Sequence, residues 1–537
     1  MEKKTNPLSL INKRIFIPGV AVLLAYILAG VVFPEGFMST VNTIQNFFSG
    51  AFKWVYILCG VLTSVICIFV LFSKKYGSIR FGGPNAKASV KTLHWVTISL
   101  TGSIAIGICF FGVAGPVNFF TNPPAFLGIE AGSPDAMIPA IIFSFLHYCL
   151  PPYFIVCFCG FILGLVSYNS KQPFTASATL YPILGKKAYG FVGDLVNLLF
   201  FLSLVIVGTN MGLSVIQINA GIGSITGNSQ LDVQMVIIVV YVIATIIFAC
   251  SGVHGTMGKL SNVNAVMYVI IIGFVLFAGP TSRLLCTAIE ATGSFVGNYV
   301  PLVCFGDVAL NTDWQTGNTL FYYSWNAMPG LLPAFFYASM AYGRTLKEFV
   351  IVHCLVPSIF LVCWYSFIGG SAIISVMEGS NLPQVIAEQG SGIATFAFLD
   401  TLPGGTFWKW FFIIMALITF VTWADSIAFS FPMMFMKETA EDKTKTKTPK
   451  IFIAGTAIFM GLLTFTLVFV GGYDAMDASI VCWGLPACAL ICVLVISAFK
   501  FLFNRKKYDL AYAEEFAKEE AIAAAAEALV ANSAAQN

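Results

Sequence analysis

The chain has 537 residues, 58% of them hydrophobic and only 10% charged, where a soluble domain carries roughly 25% charged residues. Its net charge of +3 excludes the basic excess of a nucleic-acid-binding protein. With a mean hydropathy of +0.86, most of the chain must face lipid or other helices, so the expected fold class is an all-α polytopic membrane protein.

In chain order, a basic start (Lys3, Lys4, Lys13, Arg14) runs into an apolar stretch with no small-residue cleavage site, which reads as a retained first span. Apolar runs long enough to cross a bilayer recur near 15–33, 54–72, 95–119, 137–167, 190–218, 234–250, 263–280, 319–341, 350–376, 407–435, 451–471 and 477–500. The fourth and tenth are long, which implies tilt, a break or an interfacial extension. Loop charges alternate between them. The second-to-third loop holds Lys74, Lys75, Arg80, Lys87 and Lys91 with no acid, and later even loops carry Lys171, Lys186, Lys187, Lys259, Arg344 and Lys347. The 436–450 loop adds five lysines, whereas 120–136 and 377–406 hold acids and no base. Basic loops stay in the cytoplasm, so twelve spans with both termini cytoplasmic, in a cell membrane, satisfy every loop. Segment 281–318 is the longest external stretch and is expected to carry an interfacial helix, because a thirteenth span there would invert every later loop. The tail 501–537 is acidic and Ala-rich and is expected to be a cytoplasmic extension. The fourteen Cys are scattered through apolar runs as packing residues, with no metal set among them.

Two spans look irregular. The third carries Thr101-Gly102-Ser103-Ile104-Ala105-Ile106-Gly107, and the eighth carries Asn326-Ala327-Met328-Pro329-Gly330, where Pro and Gly are expected to break the helix. Interrupted helices at corresponding places in two halves point to a transporter binding site; ordinary small-residue packing is the bland alternative. Aromatic clusters are the second clue: Tyr148 and Tyr153 flank Pro151-Pro152, and Tyr322, Tyr323 and Trp325 precede the eighth-span irregularity. Aromatic faces attract cations, and a quaternary ammonium group, having no N–H to donate, has them as its natural ligands. Trp408 and Trp410 read instead as belt residues. Asp425 inside the tenth span is a candidate for ion binding or for a structural helix crossing, and His147 reads as a hydrogen-bonded structural histidine. No H-E-x-x-H, no G-x-S-x-G with partners and no paired intramembrane carboxylates support a membrane enzyme. A transport-like sensor without flux stays open beside transport.

The stretches NTLFYYSW (318–325) and GRTLKEFV (343–350) resemble the signature region of the betaine/choline/carnitine transporter family. GICFFGVAGP (107–116), LYPILG (180–185), Gly212 through Asn219, Leu260-Ser261-Asn262, and Thr422 through Ser426 resemble further family motifs in the same order. The resemblance runs over roughly residues 10–505. It implies two additional N-terminal helices (15–94, after the segment 1–14), a first inverted repeat (95–280), an external connection (281–318), a second inverted repeat (319–500) and the tail. It further implies a homotrimer among membrane lipids, without cofactor or metal, and midplane binding of a trimethylammonium-type compound such as betaine, choline or carnitine. The substrate-binding candidates are Tyr148, Tyr153, Tyr323, Trp325 and Asn326. Here the sequence departs from the family, which has Trp at positions 148, 153, 323, 326 and 329. The cation-site candidates are Ser103, Ile104, Thr422 and Asp425. Sodium-coupled relatives have consecutive hydroxyls in the tenth span, but Trp423 follows Thr422 here, and an indole offers no oxygen. Asn264 stands where sodium-independent members carry a basic side chain, so substrate exchange or proton coupling is expected at least as much as sodium symport.

Overall fold

The computed structural model describes residues 7–101, 104–228, 230–251, 256–437, 448–470, 472–518, 520–522 and 524. The described residues are helical, apart from turns, loops and two isolated antiparallel bridges, Ile11 to Met436 and Arg80 to Thr345. The helices that matter below are α1 (Lys13–Val32), α2 (Pro34–Phe72), α3 (Thr92–Thr101), α4 (Ala105–Cys109), α5 (Phe111–Thr121), α6 (Met137–Tyr148) and α7 (Leu150–Gly164). They continue with α8 (Phe191–Leu202), α9 (Leu204–Thr226), α10 (Leu231–Ala249), α11 (Thr256–Ala278), α12 (Thr281–Gly297), α13 (Phe321–Ala341), α14 (Val356–Trp364), α15 (Gly405–Ser430), α16 (Lys450–Val470) and α17 (Gly472–Phe503). Among the described residues, ten helices are long and apolar enough to cross a membrane. A multi-pass all-α membrane protein is therefore what the sequence builds.

The expected spans 95–119 and 319–341 each depart from a plain apolar helix, in different ways. The first is divided: α3 is described as far as Thr101, and Ile104 lies outside a helix before α4 starts at Ala105. The second differs from expectation. α13 runs without a break from Phe321 to Ala341, straight through Pro329, and its irregularity lies earlier, in a π-turn over Thr316–Leu320. A proline removes one N–H from a helix, but a membrane helix tolerates this where neighbours enclose it. α13 is so enclosed, packed against α7, α15 and α17. The prolines of the fourth span behave as starters. α6 stops at Tyr148, α7 restarts at Leu150, and Pro151 and Pro152 occupy its first turn, where a missing N–H costs nothing.

Burial in lipid gives helices no hydrophobic reason to associate, so close backbone approach does much of the work. At Gly484 on α17, a Cβ would stand 2.2 Å from Ser324 Cβ on α13 and 2.8 Å from its Cα. α2 begins about twenty residues earlier than its apolar run suggested and bends at Phe52 (φ −123°, ψ 17°). α12 is amphipathic: Leu284, Ala291 and Phe295 are buried on one side, and Leu285, Ile289 and Val296 are exposed on the other.

The start of the tail is docked, not simply an extension. Asn169 Nδ2 donates to Asp509 Oδ1 at 3.0 Å, Ser170 Oγ to the Tyr508 carbonyl at 2.7 Å, and the Arg80 backbone N–H to the Tyr512 hydroxyl at 2.9 Å. Arg505 bridges Asp509 at 2.8 Å and lies over the rings of Tyr512 and Phe516 at 4.6 and 5.1 Å. Burial pushes the Asp509 carboxyl above the usual carboxylate range, and Arg505 pulls it part of the way back. Removing one partner of a buried ion pair costs about 3–5 kcal/mol; here the lower figure applies, because Arg505 reaches solvent. Asp509→Ala is therefore expected to release this segment and speed tryptic cleavage at Arg505, Lys506 and Lys507. Unchanged digestion kinetics would show that the other contacts suffice.

Candidate functional site

The divided third span, α7, α9, α13 and α15 enclose a small cavity of about 60 Å³. α4 contributes Ala105, Ile106 and Gly107 at the restart of the broken helix. The carbonyls of this short piece are held from outside: Gly107 accepts from the Tyr365 hydroxyl at 2.6 Å, and Cys109 accepts from the Gln217 amide and from the Thr395 hydroxyl at 3.3 Å. These side chains do for the interrupted backbone what helix continuation would have done.

Four aromatic side chains stand in the walls. Tyr153 and Val156 enter from α7, Trp325, Asn326 and Tyr337 from α13, and Trp423 from α15. Trp325 is fixed by its indole N–H, which donates to Asn210 Oδ1 on α9 at 2.5 Å. With its oxygen taken, Asn210 has its amide nitrogen left as a donor. Asn326 is the converse: its nitrogen donates to the Tyr322 carbonyl at 2.7 Å, which leaves its oxygen as an acceptor. Among the described residues, no carboxylate and no basic side chain lines the cavity. Its chemistry is aromatic faces plus one amide donor and one amide acceptor.

Tyr153, Trp325 and Asn326 thus come together, and Tyr148 and Tyr323 stand elsewhere. Tyr148 is one ring removed, in an aromatic cluster that reaches Trp325 through Phe111. Its hydroxyl meets that of Tyr322 at 2.5 Å, its ring stacks on Tyr365 at 4.8 Å, and Phe111 lies 5.6 Å from it and 5.5 Å from Trp325. Tyr323 turns the other way, its ring lying where a Cβ at Gly60 of α2 would be, at 2.5 Å. Being adjacent to Tyr322 in a helix puts it on a different face.

Of the cation-site candidates, Ser103 lies outside the described residues. Ile104 is the buried residue that leads into α4. Thr422 Oγ1 donates to the Thr419 carbonyl at 2.9 Å. Asp425 is fully buried, with no hydrogen-bond partner for either carboxylate oxygen among the described residues. Asn264, Tyr268 and Thr419 are linked: Asn264 Nδ2 donates to Tyr268 Oη at 2.8 Å and Tyr268 Oη to Thr419 Oγ1 at 2.9 Å, while Thr419 Oγ1 has two acceptors in reach, the Met415 carbonyl at 2.7 Å and Asn264 Oδ1 at 3.1 Å. His147 is bonded to Thr319 Oγ1 at 3.1 Å.

The sequence reading missed Asn210 and Tyr337 as cavity residues. Asn210 carried a signal, as an amide in the middle of an apolar span. Tyr337 carried none, since one aromatic in a helix rich in them is unremarked until the fold aims it.

Residues 14–507 match the profile of the betaine/carnitine/choline family of transporters. An osmo-dependent choline transporter of Acinetobacter baylyi is 28% identical over 93% of this chain and 73% of its own length. A glycine betaine transporter of Bacillus subtilis is 26% identical over 93% of this chain and 96% of its own. A high-affinity choline transport protein of Escherichia coli is 26% identical over 92% of this chain and 72% of its own.

Proposed function

This chain belongs to the betaine/carnitine/choline family of transporters, and on that footing we propose that the neutral aromatic cavity is where its substrate binds. The protein is a secondary transporter of quaternary ammonium compounds and not an enzyme. The observation that carries the site reading is the absence of acid or base from the described cavity lining. A trimethylammonium group has a permanent charge and no donor, so it needs polarisable faces, not an ion pair. Tyr153, Trp325 and Trp423 offer those faces. Asn326 accepts a substrate hydroxyl, and Asn210 donates to a substrate carboxylate, so choline and betaine each find one partner. Tyr148 backs this set through Tyr322 and Phe111, and Tyr323 packs behind it against α2.

In this reading the chain crosses a cell membrane twelve times with both termini cytoplasmic, supported by the loop charges. Residues 95–280 and 319–500 are two inverted repeats, 281–318 connects them across the outer face, and the protein assembles as a homotrimer. Labelled choline and glycine betaine in proteoliposomes test the function. Accumulation that unlabelled trimethylammonium compounds compete away is the expected result, and failure of every such compound to enter or exchange would remove it.

Sodium has no part in the proposed cycle. Trp423 fills the wall where a second hydroxyl would be needed, and its indole offers no oxygen, so Thr422, whose proton goes to a carbonyl, brings a single side-chain oxygen. A hard cation needs a shell of several free oxygens. Flux with sodium on both sides is expected to equal flux with potassium on both sides, and Thr422→Ala to leave that ratio alone. Strict sodium dependence that vanishes in Thr422→Ala would overturn this.

A further inference from the structure

α3 and α11 diverge around an open groove of about 590 Å³ on the outside of the bundle. Its floor is apolar and uncovered: Leu93 on α3 is 80% exposed, and Val266 and Val269 on α11 are 59% and 65% exposed. One end is basic and polar, with Lys91, His94, Thr97 and Asn262. Lys259 stands one turn before Asn262 on the stripe 259, 262, 266, 269–270 of α11, and its side chain is exposed. The Arg344 guanidinium adds a fixed positive charge beside the first turn of α3, donating to the Val90 carbonyl at 2.6 Å and Thr92 Oγ1 at 2.9 Å. The opening amides of a helix have no partner inside the helix and carry the positive end of its dipole. No acid offsets these charges in α3, in α11 or in the 74–91 loop.

We propose that this groove binds an anionic phospholipid. The phosphate sits at the start of α3 between Lys91, His94 and Lys259, and an acyl chain lies along Val266, Val269 and Ile270. Charge complementarity selects the headgroup, since basic residues at a membrane surface recruit anionic lipid. Geometry fits the chain: the eight helical steps from Asn262 to Ile270 rise about 12 Å, close to the depth of one leaflet's hydrocarbon, roughly half of 30 Å. The site rests on the membrane fold and the exposed groove, not on the transport reading. Because α3 is the half-helix that leads into the break beside the cavity, a bound lipid holds that piece against α11.

The test uses the purified full-length protein in phosphatidylcholine nanodiscs and photoactivatable phosphatidylglycerol, with the matching phosphatidylcholine probe as control. Cross-links are expected on peptides covering 91–97 and 259–270, competed away by unlabelled phosphatidylglycerol and far weaker with the phosphatidylcholine probe. Each lysine near the headgroup contributes about fivefold to such binding, so the Lys91→Gln, Lys259→Gln double variant is expected to lose about thirtyfold. Val266→Trp, which fills the floor and keeps both lysines, is expected to lose labelling as well, with an unchanged size-exclusion profile showing that each variant folds. Equal labelling by the two probes, full labelling of either variant, or cross-links from the groove to a second copy of the chain would each overturn the proposal.

Discussion

Trp325→Ala is expected to weaken binding of a trimethylammonium substrate by about a hundredfold, the larger part of it lost in two separable pieces. Removing an aromatic face from a desolvated cation costs ~0.5–2 kcal/mol. The same truncation deprives Asn210 Oδ1 of the indole N–H that donates to it at 2.5 Å; water takes that place in the empty cavity, and a substrate that brings no donor displaces it, so the acceptor orphaned in the bound state costs about 1–3 kcal/mol. Together these come to about 2.7 kcal/mol, which is two decades of affinity. Trp325→Phe keeps a face and loses the N–H, so it is expected to fall between, near tenfold. Isothermal titration of choline and glycine betaine against the three proteins reads this directly. Should the alanine variant bind as tightly as the wild type, the substrate does not touch this wall.

Gly343→Ala is expected to be among the most costly single methyl groups that could be added to the described residues. Gly343 has φ +77°, where an L side chain is strained, and a Cβ there would lie 2.2 Å from the Lys87 carbonyl carbon and 2.4 Å from the Ala88 nitrogen. Those are backbone atoms with nowhere to go. The Gly343 N–H donates to the Phe81 carbonyl at 2.9 Å, the Phe81 N–H to the Arg344 carbonyl at 2.9 Å, and the Leu346 N–H to the Ile79 carbonyl at 2.8 Å. Two loops far apart in sequence are therefore tied backbone to backbone. Arg344 then reaches past them to Val90 and Thr92 and lies over Trp95 at 4.7 Å. Left-handed strain contributes about 1–2 kcal/mol, and displacement of the Lys87–Ala88 backbone adds a clash of overpacking size, ~1–3 kcal/mol. The variant is expected to yield little monodisperse protein by fluorescence size exclusion and to melt early. A wild-type melting curve would mean that the 79–91 loop moves freely.

Much of this was legible in the residues because lipid imposes simple rules. Apolar run length located ten helices, and the small residues at 101–107 located the break before α4. What failed was side-chain direction and context. Pro329 was read as a break because a proline alone in water would make one; enclosure by α7, α15 and α17 keeps α13 continuous. Tyr148, Tyr153 and Tyr323 look alike in sequence, yet only Tyr153 reaches the cavity. One hundred degrees of helix rotation separates Tyr322 from Tyr323, and no local pattern says which face the bundle will enclose. The docked tail was also illegible, since Asp509 acquires meaning only opposite Asn169, which is 340 positions away in sequence.

The described lining of the cavity holds neither a carboxylate nor a basic side chain, and this decides the electrical work of a crossing. In a uniport cycle the protein returns to its starting state, so the net charge carried equals the formal charge of the passenger, and a neutral lining puts that charge on the loaded crossing itself. Choline moves one positive charge through the field, while glycine betaine, a zwitterion, moves none. At 100 mV that charge is worth about 2.3 kcal/mol, enough to concentrate choline about fortyfold inside a cell with no coupling ion at all. Glycine betaine gains nothing from the same voltage, so one cavity yields an electrogenic and a silent mode according to what enters it.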